Sequence, residues 1–166
     1  YAPGVEMPYA IRDSKALTAE ERERLVDILT LEFVNRGQLQ LAYAEASAAE
    51  VESSNLNELN LRLFKDALQK LPCFDRVIID GSIADKSFPF PGLCAPKADT
   101  RSITVATASI FAKVHRDRQM QELHQQYPHY GFNEHMGYGT KAHVEAICRF
   151  GPIPGVHRRN FLRNLK

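Results

Sequence analysis

The sequence predicts an α/β fold in a single domain, and three observations lead to this class. Apolar residues recur at helical spacing in several segments, a β-branched run at 77–79 is typical of an interior strand, and the chain has 166 residues, the size of one ordinary domain. Hydrophobic residues make up 44% of the chain, which is enough for a sizeable core. Neither an internal repeat nor a linker-like stretch divides it, so we expect residues 1–166 to form one domain.

The first part of the chain is expected to be mainly helical. Thr18 and the acidic residue three positions later form a capping box at the start of a helix, and Gly37 is placed to end it. Alternating apolar and polar residues at 39–43 then predict a half-buried strand. Ser47 offers another helix start, and residues 57–71 predict a further helix that the following proline ends.

The second part alternates strand and helix. The apolar run at 77–79 predicts an interior strand, whereas residues 82–96, with three prolines and a glycine, predict a loop. A long helix is expected from 102 to about 126. Another helix is expected to start near Thr140 and to stop before Gly151.

Several classes of protein are disfavoured by composition. No apolar run approaches the roughly 20 residues needed to span a bilayer, and the first residues lack the pattern of a secretory leader. The three cysteines, Cys73, Cys94 and Cys148, are far apart and form no CxxC pair. We therefore expect a protein of the reducing cytoplasm.

Charge is unevenly distributed along the chain although the net charge is only +1. Residues 1–96 contain 10 Lys and Arg against 15 Asp and Glu, whereas residues 97–166 contain 11 against 5, a local balance of +6. An acidic part and a basic part suit an enzyme that gathers cations at one place and a polyanion at another. Chance segregation of charge on solvated faces is the alternative, and charge alone does not separate the two.

Asp80 is the strongest local signal for chemistry. It closes the apolar strand and is followed by glycine, which places a carboxylate at the edge of the sheet where ligands bind in open α/β folds. Asp-Gly is also a common turn dipeptide, and the sequence alone leaves both interpretations open.

Asp117 is the second candidate carboxylate. It ends the apolar helical segment 108–117, where burial would be costly without a partner or a metal ion. The alternative is a surface helix with alternating charges, since Arg116 and Arg118 flank it. If this helix packs against the mouth of the strand, the two aspartates meet, as a magnesium-dependent phosphodiester enzyme requires.

An aromatic, glycine-bearing segment spans residues 127–140. Rings beside basic groups can stack on sugars or bases, although anchoring a loop on the core is the commoner fate of tyrosine. Four histidines in this region also raise the alternative of a zinc site in an interaction domain, but their spacing matches no zinc template. These residues are His124, His129, His135 and His143.

Five segments in order make the chain resemble the ribonuclease HII, or type 2 ribonuclease H, family. They carry the family's DSK-x-L-[ST] segment, its second catalytic strand, its longest signature, its aromatic Gly-Tyr-Gly segment and its terminal HRRNF. The resemblance covers nearly the whole chain. The segments lie at 13–18, 77–81, 97–117, 127–140 and 157–161.

This resemblance implies a ribonuclease H-like mixed sheet flanked by helices. It implies an endonuclease, acting in DNA replication and repair, that cuts RNA in RNA–DNA hybrids and at single ribonucleotides embedded in duplex DNA. It also implies Mg²⁺ or Mn²⁺ as cofactor, no membrane partner, and a monomer where the sheet is complete.

The resemblance also implies roles for individual residues. Asp80 and Asp117 correspond to catalytic metal ligands, and Tyr138 corresponds to the tyrosine that packs on the sugar near the ribonucleotide. Four further residues are candidates for contacting phosphate or positioning the metal site. They are Lys15, Ser109, Lys113 and Arg116.

One family motif does not occur in the 166 residues. Family members begin with a strand bearing D-E-x-G-R-G, which supplies two more carboxylates and reads the 2′-hydroxyl. We therefore expect an N-terminally incomplete domain that lacks its first strands. The alternative function is a catalytically inactive remnant that still binds hybrids.

Overall fold

The structure, a computed structural model, describes residues 11, 17–81, 88 and 90–162, without the side chains at 159 and 161. Helices predominate among the described elements, and a five-residue π-helical turn continues the first of them. The helices are α1 (Ala19–Leu29), α2 (Ala48–Ser53), α3 (Leu56–Gln69), α4 (Ile103–Gln126), α5 (Phe132–His135), α6 (Lys141–Phe150) and α7 (Arg159–Leu162). The strands are β1 (Val77–Asp80) and β2 (Gly92–Ala95).

The chain divides into two compact units. The first comprises Tyr1–Ala44 and Phe64–Val114, and the second comprises Glu45–Leu63 and His115–Lys166. Two of the boundaries fall inside α3 and α4. The single domain expected from the sequence stays a prediction.

Predicted helix starts are confirmed by their caps. Thr18 and Ser47 each form a complete capping box, in which the side chain accepts from the third helical N–H and the glutamate there accepts from the cap N–H. Thr140 caps α6 by accepting from the N–H of His143. Gly37 has a φ of 71°, the left-handed conformation expected where a helix stops.

The described sheet of the first unit has two parallel strands in register from Val77 opposite Gly92 to Asp80 opposite Ala95. Strand β2 lies inside the segment predicted to be a loop, so that prediction is wrong at 92–95. Four residues after a proline carry no periodic signal, and the strand forms because its main chain pairs with β1. Gly92 permits this close approach, since a Cβ there would lie 2.8 Å from the Val77 carbonyl oxygen.

The predicted interior strand is buried on one face only. Val77 and Ile79 are buried, whereas Ile78 keeps 43% of its surface exposed. Within the described residues β1 pairs with β2 alone, so its outward face lacks the cover that an apolar run suggests. The predicted interior strand is therefore corrected to a strand with alternating burial.

Residues 39–43 do not form the predicted strand. The segment has no ladder pairing in the described part of the chain, and the Lys70 ammonium donates to the carbonyl oxygen of Tyr43 at 2.6 Å. The alternation of apolar and polar residues nevertheless identifies the side chains that turn inward. The apolar ones, Leu39, Leu41 and Tyr43, pack on the apolar cluster of the first unit. Around them lie buried residues from α1 and α4: Leu25, Val26, Leu29, Ala106, Ile110, Phe111 and Val114.

The second unit has a more aromatic core. Tyr130 and Phe132 stack at 5.7 Å between ring centroids and form its centre. Helix α4 contributes Met120, and α6 contributes Ile147. This core holds the glycine-rich segment between α5 and α6 in place.

Candidate active site

Asp80 occupies the position that the sequence predicts, at the carboxyl end of β1. Its side chain is exposed, and Oδ1 accepts a hydrogen bond of 2.9 Å from the N–H of Ala98. The next residue, Gly81, still donates to the Ala95 carbonyl but has a φ of 101°, so the chain turns away there. The result is a carboxylate fixed at the strand edge by a backbone amide.

A further carboxylate, Asp99, lies directly after that amide. It belongs to a single 3₁₀ turn, Ala98–Thr100, that contacts β1, and only 5% of its surface is exposed. Its burial beside the strand that ends in Asp80 makes Asp99 a candidate for the same site. The sequence places 97–99 in a motif but indicates no role for Asp99, because the burial of one acid in a short irregular segment leaves no periodic signal.

Asp117 lies on α4 and is half-buried, between the exposed side chains of Arg116 and Arg118. The burial expected at the end of the apolar segment is therefore partial. Asp80 belongs to the first unit and Asp117 to the second, so the meeting of these two carboxylates across a shared ion stays a prediction.

The candidate phosphate contacts on α4 follow helical spacing. Ser109, Lys113 and Arg116 are separated by four and three residues, which places them along one stripe of the helix. Ser109 and Lys113 are half-buried and Arg116 is exposed. The remaining candidate, Lys15, lies outside the described residues.

Arg116 lies beside the turn that leads to Tyr138. A Cβ built on Gly137 would be 3.2 Å from the Arg116 guanidinium and 3.2 Å from the sulfur of Met120, and Gly137 has a φ of 79°. Any larger residue there would be strained and would displace the guanidinium. The structure thus brings together two of the predicted substrate contacts, Arg116 and the Tyr138 turn.

Tyr138 combines an exposed ring with a fixed backbone. The residue is 76% exposed, which is unusual for a large aromatic side chain. Its N–H donates to the His135 carbonyl at 2.8 Å, and its carbonyl accepts from His143 Nδ1 at 2.9 Å and from the Thr140 N–H at 2.8 Å. An exposed ring on a rigid turn can act as a stacking platform for a sugar or base.

Burial lowers the pKa of two histidines beneath this turn, His143 and His157. Desolvation is the largest cause that lowers the pKa of His143, with a smaller effect from His135, while the hydrogen bond to Tyr138 acts in the opposite direction. Burial also lowers the pKa of His157, and the neighbouring His143 adds to that effect. Both rings therefore stay neutral at pH values where an exposed histidine begins to titrate.

A metal-binding cluster and a membrane-spanning helix are both absent from the residues that the structure describes. No three histidine, cysteine, aspartate or glutamate side chains there form a group that could hold a metal ion. Nor does any helix in those ranges have both the length and the apolar character required to cross a membrane.

Comparison with known proteins gives a consistent result. The family model for ribonuclease HII matches residues 7–164. A ribonuclease HII of Thermus thermophilus is 44% identical over 153 residues, covering 92% of this chain and 72% of that protein. The ribonuclease HII of Fusobacterium nucleatum is 38% identical over 160 residues, covering 93% and 72%.

Solved structures confirm the predicted ribonuclease H-like α/β fold. The ribonuclease H2 from Pyrococcus horikoshii OT3 aligns with a TM-score of 0.72 at 26% identity, covering 93% of this chain and 79% of that one. The structure of the PCNA:RNase HII complex from Archaeoglobus fulgidus aligns with a TM-score of 0.72 at 20% identity, covering 95% and 80%, and supports the fold alone.

Proposed function

This chain belongs to the ribonuclease HII family, and from that premise we propose that it hydrolyses RNA in RNA–DNA hybrids and at single ribonucleotides embedded in duplex DNA. The observation that carries the proposal is the placement of Asp80, an exposed carboxylate held at the edge of a parallel sheet by the Ala98 amide. This activity fits a cytoplasmic protein that acts in DNA replication and repair.

Aspartates supply the hard oxygen ligands that Mg²⁺ and Mn²⁺ prefer. We assign Asp80 as the central ligand and Asp117 as a second ligand that also orients the nucleophile or leaving group. Asp99 is a further candidate for the same centre, because it is buried in the same unit as Asp80 and next to the amide that Asp80 binds. Divalent ions held by these carboxylates would supply Lewis-acid activation of a water for in-line attack on phosphorus, and hydrolysis would leave 3′-hydroxyl and 5′-phosphate ends.

Substrate binding is assigned mainly to the basic part of the chain, residues 97–166, with Lys15 as the exception. Tyr138 offers its exposed ring to the sugar near the ribonucleotide, and Arg116, beside the same turn, is suited to a phosphate. Ser109 and Lys113 extend this set along α4, and Lys15 is assigned the same role from its motif alone. Phosphate contacts of this kind make affinity fall as salt rises.

The second candidate function is binding of hybrids without cleavage. The observations in its favour are the +6 charge balance of residues 97–166 and the 76% exposed ring of Tyr138. Two or three aspartates neutralise only part of the charge of two divalent ions, which weakens metal binding. The basic part and Tyr138 would still support salt-dependent binding.

One cleavage experiment separates these functions. The 166-residue chain is incubated with Mg²⁺ and a labelled DNA duplex that contains one ribonucleotide, and an all-DNA duplex of the same sequence is the control. We expect cutting at the ribonucleotide only, and loss of cutting in Asp80→Asn. Salt-dependent binding without any cutting would support the second function instead.

Cutting that survives Asp80→Asn would remove the central role assigned to this carboxylate. Equal cutting of the two duplexes would contradict the proposed substrate. Thermal unfolding of the variant provides the control for folding, since asparagine has nearly the shape of aspartate and Asp80 is exposed.

A further inference from the structure

Three polar contacts form a continuous row that ends at the backbone of Tyr138. The N–H of Ile153 donates to His157 Nδ1 at 2.8 Å. The Nε2 atoms of His157 and His143 lie 3.1 Å apart, and His143 Nδ1 lies 2.9 Å from the Tyr138 carbonyl oxygen. All four residues belong to the second unit.

The ends of the row determine where each proton lies. Because a backbone N–H always donates, His157 Nδ1 accepts, and the neutral His157 ring carries its proton on Nε2. That proton is donated to His143 Nε2, so His143 carries its own proton on Nδ1. Since the Tyr138 carbonyl can only accept, both rings are neutral and each has one tautomer.

His135 completes the support from the other side of the turn. Its Nδ1 accepts from the Gly137 N–H at 3.2 Å and its Nε2 donates to the Tyr130 carbonyl at 2.7 Å. The His135 ring is stacked on His143 with 4.1 Å between centroids. The backbone on both sides of the Tyr138 α-carbon is therefore held by buried histidines.

We propose that His143 and His157 are positioning residues, which present the Tyr138 ring to the nucleic acid by fixing its carbonyl group. The inference rests on the proposed function, because it takes Tyr138 as a substrate contact. Its geometric basis is the contrast within the row: His143 is 3% exposed and Tyr138 is 76% exposed. The buried His143 ring is held by hydrogen bonds at both nitrogens, and the Tyr138 ring is left available for a ligand.

The row requires neutral rings. Protonation of His143 at Nε2 would place two N–H donors opposite each other at 3.1 Å. Protonation of His157 at Nδ1 would place its new N–H against the Ile153 N–H at 2.8 Å, so either event breaks the row. The titratable groups acting on these rings are the rings themselves and His135, and on α4 the Arg116 guanidinium faces the adjoining Gly137 turn. Burial lowers the pKa of both rings and so preserves the neutral row near pH 7.

Variants at Tyr138 and at His143 test the proposal by fluorescence anisotropy. The probe is a DNA duplex with one ribonucleotide, with Ca²⁺ in place of Mg²⁺ to limit hydrolysis. We expect Tyr138→Ala and His143→Leu each to weaken affinity about tenfold, the size of one lost stacking contact. His143→Asn, whose amide N–H replaces Nδ1–H, is expected to retain most of the affinity.

Two controls separate positioning from general damage to the fold. Ile147→Ala removes a buried side chain from the same helix as His143 without touching the row, so we expect lower thermal stability with unchanged affinity. In a Tyr138→Ala background, His143→Leu is expected to have no further effect, because it acts through the ring that has been removed.

Each outcome decides a different part of the inference. If Tyr138→Ala leaves affinity unchanged, the substrate contact in the proposed function fails and the positioning role fails with it. If Tyr138→Ala weakens binding but His143→Leu does not, the positioning role is overturned and the substrate contact of Tyr138 stands. The same conclusion follows if the two effects add in the double variant. Independently of binding, ¹⁵N NMR of the rings should show protons on His143 Nδ1 and His157 Nε2, and the opposite tautomers would overturn the row.

Discussion

The two units hold their functional side chains in different ways. In the first unit, Asp80 and Asp99 are placed by main-chain features, a strand end and a 3₁₀ turn joined by one amide hydrogen bond. In the second unit, Tyr138 is held by buried histidines that bond to its backbone. The comparison teaches that substitution of Asp80 or Asp99 should alter turnover, whereas changes at the Tyr138 turn should alter binding.

The largest expected effect concerns which acids of the site bind metal. We expect Asp99→Asn to lower the rate of single-ribonucleotide cleavage in Mg²⁺ by about 100-fold, as loss of a carboxylate at a metal-dependent centre does. Asp117→Asn should lower it less, because Asp117 is half-buried and Asp99 is buried beside the Asp80 strand. Steady-state cleavage rates of both variants check this ranking.

The ranking also tests the motif-based assignment. A greater loss in Asp117→Asn would restore Asp117 as the principal second ligand. A fall in substrate affinity instead of turnover for Asp99→Asn would contradict the role assigned to the acids of the first unit. Each variant needs a thermal unfolding curve matched to the unaltered chain.

The next effect concerns salt and lies in the second unit. Arg116→Gln should weaken binding of a ribonucleotide-containing duplex several-fold and reduce the slope of log affinity against log salt by about 1, as expected for one lost phosphate contact. Arg118→Gln is the matched control, since it removes the same charge two residues along α4. Equal salt slopes for the two variants would remove the specific role of Arg116.

The smallest expected effect is on stability against pH. Because burial lowers the pKa of His143 and His157, the unfolded chain takes up protons first as the pH falls below about 6.5. The free energy of unfolding is therefore fully retained above that pH and decreases as the pH drops toward the lower pKa values of the folded state. Urea unfolding at a series of pH values measures this loss.

A double variant in which both His143 and His157 are replaced serves as the reference for the series of unfolding measurements. It should lose less stability over the same pH interval, because the remaining groups titrate in both proteins. An identical pH dependence in the two proteins would show that the histidine row does not resist protonation.

Sequence patterns recovered the local features and missed those that depend on tertiary placement. Capping boxes at Thr18 and Ser47 and the strand end at Asp80 follow from short-range chemistry, and all three are found. Strand β2 was missed because main-chain pairing with β1, and not its own residues, determines it. The burial of Asp99 likewise depends on contacts between turn and strand that no periodicity encodes.

The central claim is that the acidic edge of the first unit is the metal centre, and Mn²⁺ binding followed by electron paramagnetic resonance tests it most directly. Titration of the 166-residue chain is expected to show saturable binding that Asp80→Asn weakens strongly, with an intermediate loss for Asp99→Asn. Mn²⁺ binding of equal strength in the unaltered chain and in Asp80→Asn would contradict the account.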